Sequence, residues 1–175
     1  MESSPNIPPP PSCQALHLVS ALSNPEPADV HIQALKARDD ALSASPASYG
    51  ELCRQLAFCL AGCDNPNFML SRVNPAELEA WKQQDPITVS KLQQTPSLWI
   101  PFGQMAGLVL KNALIRPPIA ADGRYMALEE GPFAEQVQQT MLFALGCQNT
   151  ALRAVASSVI AVNTVRLGKN LRFPD

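Results

Sequence analysis

Charge is what this chain is shortest of. Only 16% of its 175 residues are Asp, Glu, Lys or Arg, against about 25% in ordinary soluble domains, so any face that the fold leaves uncovered is expected to be unusually apolar. The 13 basic and 15 acidic side chains nearly cancel to a net charge of -2. No basic stripe for a phosphate backbone follows from that balance, and nucleic-acid binding is not expected. Histidine is almost missing. His17 and His31 both lie near the N-terminus with no partnered nucleophile or second ligand, and neither a glycine-rich phosphate loop nor a serine elbow occurs, which argues against the usual hydrolytic, phosphoryl-transfer and zinc-dependent chemistries. An enzyme is not expected, nor a cofactor. The acid pairs Asp39-Asp40 and Glu129-Glu130 read as solvated surface. No apolar run approaches the roughly 18 residues of a spanning helix, and Pro8-Pro9-Pro10-Pro11 stands where a secretory signal needs a basic start and an apolar core. The expectation is a soluble, intracellular protein without membrane contact.

Cysteine and proline are what the chain does have. Cys13, Cys53, Cys59, Cys63 and Cys147 are an odd number without an export signal, so free thiols are expected rather than a disulfide framework. Cys59 and Cys63 share a helical face, but neither histidine sits at a zinc-ligand interval, and buried small residues are the better account than a metal. Residues 1–12 are proline-rich without periodicity and read as a polyproline or disordered tail, with SH3-type recognition of the run as the rarer alternative.

The other prolines punctuate a helical pattern. A first helix is predicted from Cys13 to Ser23, burying Ala15, Leu18, Val19 and Leu22, and Asn24-Pro25-Glu26-Pro27 stops it. A second runs from Ala28 to Ser43 with Val30, Ile32, Leu35 and Leu42 as its apolar residues, closed by Ser45-Pro46. A third, Tyr49 to Cys63, places Leu52, Leu56, Cys59, Leu60 and Cys63 on one face. Residues 65–99 then interrupt the pattern with Pro66, Pro75, Pro86 and Pro96. Asn74-Pro75-Ala76-Glu77 and Asp85-Pro86 are helix-start signals that predict one or two short helices. An insertion looping out of the main body is nevertheless the expectation for so long a connection, with Trp81 the residue placed to pack back.

Two later helices echo one another. In Gln104 to Leu114, Met105, Leu108, Val109 and Asn112 recur at i, i+3, i+4 and i+7; in Leu152 to Val162, Leu152, Val155, Ala156, Val159 and Ile160 recur at i, i+3, i+4, i+7 and i+8. Between them, Arg116-Pro117-Pro118 and a loop with Gly123 at its tip precede a helix from Glu135 to Leu145 that buries Val137, Met141 and Leu145 and stops at Gly146. The final helix is expected over Thr150 to Val165, and 166–175 as an irregular end. Self-similarity at long period means repeats.

The run Ala106-Gly107-Leu108-Val109-Leu110-Lys111-Asn112 resembles the second HEAT repeat of importin-β-type nuclear transport receptors, closest to their transportin branch. Leu18-Val19, Leu22 to Pro25, Ile32-Gln33 and Phe58-Cys59-Leu60 are similar to the first one and a half repeats, and Ala144-Leu145-Gly146 with Leu152-Arg153-Ala154 to the third. The likeness covers about 13–64 and 100–165; the insertion, and Gly103 where HEAT repeats usually carry arginine, depart from it. It implies an all-α fold, an α-solenoid of about three HEAT-like helix pairs over 13–165 with a long insertion in the second, whose second helices form one concave wall. It also implies the GTP form of the small GTPase Ran as partner, in the cytoplasm and nucleus, with import cargo bound only by a full-length form. Gln104, Gly107 and Lys111, opposite the assumed core stripe, become the candidate Ran-binding residues, the glycine permitting close backbone approach. Asn112, on the assumed core side, is expected as a buried structural amide, and Arg153 as a rung of an internal ladder to loop carboxylates or carbonyls of the neighbouring unit, with Asn149 nearby. The alternatives are a HEAT scaffold without GTPase binding or a truncated gene-model fragment.

Overall fold

A computed structural model of the chain describes residues 9–24, 27–128 and 132–170, with side chains as far as 164. Residues 1–8, Pro25-Glu26 of the expected helix stop, Glu129-Glu130 with Gly131, and the end at 171–175 lie outside the described residues. Those described are all-helical, without a strand; one isolated antiparallel bridge joins Ile119 to Tyr125. The helices are α1 (Cys13–Ser23), α2 (Ala28–Ser43), α3 (Pro46–Gly62), α4 (Pro66–Arg72), α5 (Pro75–Gln84), α6 (Pro86–Gln94), α7 (Trp99–Ile115), α8 (Pro132–Ala144) and α9 (Thr150–Asn170). A single 3-10 turn, Pro96–Leu98, leads into α7.

Prolines start helices here rather than merely ending them. Ser45-Pro46, Asn65-Pro66, Asn74-Pro75 and Asp85-Pro86 each place proline in the first helical turn, where its missing N–H costs nothing and its fixed φ suits the helix. Ser45, Asn65 and Asn74 add side-chain caps, accepting from the N–H groups of Ser48, Phe68 and Ala76 at 3.0, 3.3 and 2.9 Å. Residues 65–99 therefore form three helices and do not loop out. Trp81 of α5 is 1% exposed. Its indole donates to the Ser20 hydroxyl at 3.2 Å, and its ring lies 6.2 Å from both Trp99 and Phe102 at the start of α7. His17 to Asp85 (2.5 Å) and Asn24 to Thr88 (3.2 Å) complete the seam between the insertion and α1.

The body is a pair of layers. α3 and α7 run antiparallel: the Tyr49 hydroxyl donates to the Ala113 carbonyl at 2.8 Å, while the far end of α3 brings Cys63 against Gly103. α8 lies along α3 in the same direction, with Phe133 against Gly50 and Arg54 reaching Gln136 at 3.4 Å. α9 lies along α7 in the same direction, Leu152 against Gly103 and Val155 against Gly107. Two antiparallel pairs, α3/α7 and α8/α9, thus stack side by side. The first pair is attached differently: α2 packs on α1 and α3, and it is α1 that reaches α7. The expected wall of second helices accordingly breaks at its first member.

One expected burial needs correction: Leu145 lies at 38% beyond the end of α8. The apolar Val30 and Ile32 of α2 are 40% and 63% exposed, because α2 is covered on one side only. α9 continues through Asn170, past the irregular end expected from 166. The run Pro96–Ile115, twenty helical residues of mean hydropathy 1.2, is long and apolar enough to cross a membrane by length and composition alone, contrary to the expectation from sequence. Half of its apolar window is buried in the protein, as in a helix at the centre of a fold.

Candidate interaction surface

α7 is enclosed by α1, α3 and α9, and its buried face is built from small residues. Gly103, Ala106, Gly107 and Ala113 fall at i, i+3, i+4 and i+10 among Trp99, Phe102, Val109, Leu110 and Leu114, all of them buried. A Cβ on Gly103 would stand 2.8 Å from Cys63 Cβ and 2.9 Å from Leu152 Cδ2, and one on Gly107 would run into Val155. Real Cβ atoms do not approach that closely, so these glycines set how near α9 and α3 come to α7. Gly107 does permit close approach, but of this chain's own α9 rather than of a partner.

That geometry rotates the face assigned to α7 from sequence. Asn112 is exposed, not a buried amide, and so is Leu108, at 49%. Gln104 and Lys111 are half-buried at the flanks and Gly107 is interior, so the three do not form one exposed stripe. The solvent-facing stripe is Pro101, Leu108, Asn112 and Ile115, continued by Ile119 and Tyr125 of the bridged loop, which are 59% and 67% exposed. Lys111, Arg116 and Arg124 against the single acid Asp122 give the segment 99–128 a positive balance in a chain that is negative overall. Among its described side chains, the neighbouring α9 exposes short ones, Thr150, Ala154, Ser157, Ala161 and Thr164. The stripe was legible in principle: small residues at helical spacing mark a contact face, yet no hydrophobicity pattern weighs them.

Arg153 bonds loop carbonyls, but those of its own helix pair and not of a neighbouring unit. Its Nη1 donates to the carbonyls of Cys147 and Gln148 at 2.6 and 2.9 Å, locking the turn before α9. Asp64, just beyond α3, accepts from the backbone N–H groups of Gln148 and Asn149 at 2.9 and 3.0 Å, so one helix pair holds the loop of the next. Asn149 caps α9 through the N–H groups of Ala151 and Leu152 at 2.9 and 3.3 Å. A carboxylate before the N-terminus of a helix is favoured both by its open N–H groups and by the helix dipole.

All five cysteines are free and buried. Burial, reinforced by Cys59 and Cys147, holds the Cys63 thiol well above its ordinary range. Cys147 is pushed up to about 11 by burial and the nearby Asp64 carboxylate, against a smaller opposing effect of Arg153. Burial, with Glu77 and Asp85, also raises Cys13. At neutral pH these sulfurs are protonated packing groups, because only the thiolate is a strong ligand or nucleophile.

No family model, no curated protein and no solved structure matches this chain.

Proposed function

We propose that this chain is the N-terminal part of a transportin-like nuclear import receptor, an α-solenoid of HEAT-like pairs that binds Ran in its GTP form and acts in the cytoplasm and nucleus, by protein binding without catalysis. The observation that carries the reading is the setting of the run Ala106 to Asn112. It lies in α7, a member of the antiparallel pair α3/α7 on which the pair α8/α9 stacks in parallel, with Asp64 after α3 tying the first pair to the loop of the second. Stacked helix pairs present side chains to a large partner without deforming. The surface offered is the outward stripe of α7, Leu108, Asn112 and Ile115 with Lys111 at its edge. Among the residues first singled out, Lys111 keeps a place at the contact; Gln104 flanks it and Gly107 supports it from within. Cargo recognition belongs to a full-length form of such a receptor.

The test is capture of the chain by immobilised Ran loaded with GTP or with GDP. Retention only in the GTP state is expected, with a loss of at least tenfold in Leu108→Asp, whose side chain is solvent-facing and whose change leaves the fold intact. Equal retention in both nucleotide states, or none, refutes GTPase recognition.

One observation favours a second reading, a helical scaffold without GTPase binding. α5 covers α1, eight of whose eleven residues are buried, so the member of the α1–α7–α9 layer at that end is unavailable to a partner. The same experiment separates the two.

A further inference from the structure

Where the insertion meets α1, a recess of about 450 Å³ is lined by Cys13 and His17 of α1 and by Glu77 in the first turn of α5, among alanines and glutamines. Cys13 and His17 stand at i and i+4, so their side chains are neighbours on one face of the helix. Asp85, the residue after α5, holds the histidine: the His17 Nδ1 donates to Asp85 Oδ2 at 2.5 Å. That bond fixes the ring proton on Nδ1 and leaves Nε2 with its lone pair. Burial first, then the Glu77 and Asp85 carboxylates, hold the Cys13 thiol above its ordinary range, so both acids stand close to the sulfur. No described lysine or arginine lines the recess, and the charge collected there is negative.

We propose that Cys13, His17 and Glu77 form a zinc site joining α1 to the insertion, with Asp85 as the carboxylate that orients the histidine. Thiolate, imidazole and carboxylate are the donor types that Zn²⁺ takes, and three protein donors leave its fourth tetrahedral position to water. A carboxylate behind the ligating histidine is the usual support of such a ligand. Binding releases one proton. Cys13 gives it to solvent; its sulfur, Nε2 of His17 and one Glu77 oxygen then donate to the ion, and the thiolate with the Glu77 carboxylate balances the double charge. The acids that keep the free thiol protonated are those that a divalent cation neutralises. Among the described residues no three such donors already surround one point. Glu77 is exposed, and rotation of its side chain closes the site on the pair carried by α1.

The test is titration of the intact, reduced chain with Co²⁺, a spectroscopic stand-in for Zn²⁺, followed by displacement with Zn²⁺ itself. One equivalent is expected to bind, with the charge-transfer band of a cobalt–thiolate bond and the visible bands of a tetrahedral site. Cys13→Ser keeps Cys53, Cys59, Cys63 and Cys147 in place and is expected to remove the charge-transfer band. Glu77→Gln and Asp85→Asn are each expected to weaken Zn²⁺ binding about tenfold or more, one as a lost ligand and the other as a lost support of His17. Because Glu77 is exposed, its variant keeps the fold, which unchanged far-UV circular dichroism verifies. Zn²⁺ is also expected to raise the urea midpoint of the intact chain by more than that of Glu77→Gln. No saturable binding, a charge-transfer band that survives Cys13→Ser, or an affinity indifferent to Glu77 overturns the proposal.

Discussion

α7 and α9 echo one another in sequence and lie side by side, yet their faces are specified by different means. α9 is covered by α7 and α8, with a smaller contact to α3, and its buried stripe is the conventional one: Leu152, Ala156 and Val159 interior, Val155 and Ile160 at the margin. α7 is covered by α1, α3, α9 and, through Trp81, by the inserted α5. With so many neighbours there is no room for large side chains all round. The helix turns glycine and alanine inward and leaves Leu108 and Ile115 outside, at 49% and 50% exposure. Hydrophobic periodicity locates a face when a helix has one neighbour, and misleads when close packing rather than apolar area decides which residues go inside.

The strongest way to break that contrast is to remove part of the enclosure. Trp81→Ala strips the cover from the start of α7, deletes the hydrogen bond to Ser20 and leaves Trp99 and Phe102 facing a void. Truncating a fully buried aromatic of this size costs about 4 kcal/mol. Urea unfolding gives the cost, and Trp99, then the chain's one tryptophan, reports it: its emission is expected to shift to the red in the native baseline. Unchanged stability would mean that the insertion is an appendage and that α7 is no more enclosed than α9.

Much of the fold was legible from the same residues that misled about its details. The bounds of α1 and α2 follow directly from Ser12, Ser23 and the prolines after Asn24. The insertion was misjudged because its length was weighed above its helix starts: Asn74-Pro75 and Asp85-Pro86 already marked two, Asn65-Pro66 makes a third, and Asn65 and Asn74 cap theirs through their side chains. The internal ties were only half visible. Arg153 was singled out, but it bonds the turn of its own pair; Asp64, which does join two pairs, has no local signal, since a carboxylate 84 residues from Gln148 is joined to it by packing alone. The candidate surface was least legible, because it depended on which way α7 is turned.

A smaller effect sharpens the contrast on the α7 side. At an ordinary helical position Gly→Ala is favourable by about 1 kcal/mol. At Gly103 the added methyl meets Cys63 Cβ at 2.8 Å and Leu152 Cδ2 at 2.9 Å, and Cys63 Cβ is fixed to the backbone of α3. Gly103→Ala is therefore expected to destabilise by about 2 kcal/mol, an overpacking cost that outweighs the propensity gain. Adding bulk at an exposed position of α9, as in Ala154→Val, costs only the difference in propensity, about 0.5 kcal/mol. Equal costs at both positions, read from urea midpoints at constant slope, would show that α7 and α9 are packed alike.

The smallest expected effect is the one that decides which way α7 faces. A buried amide that bonded neighbouring backbone would leave its partners unsatisfied on truncation, costing about 1–3 kcal/mol. Asn112 is exposed, and a surface change away from caps and networks stays within about 0.5 kcal/mol; alanine is also the better helix former. Asn112→Ala is thus expected to leave the urea midpoint unchanged or to raise it slightly. Because the side chain lies on the outward stripe beside Leu108, the same substitution is expected to weaken capture by GTP-loaded Ran several-fold. A stability loss above about 1 kcal/mol would return Asn112 to the interior, and the outward stripe of Leu108 and Ile115 would have to be withdrawn with it.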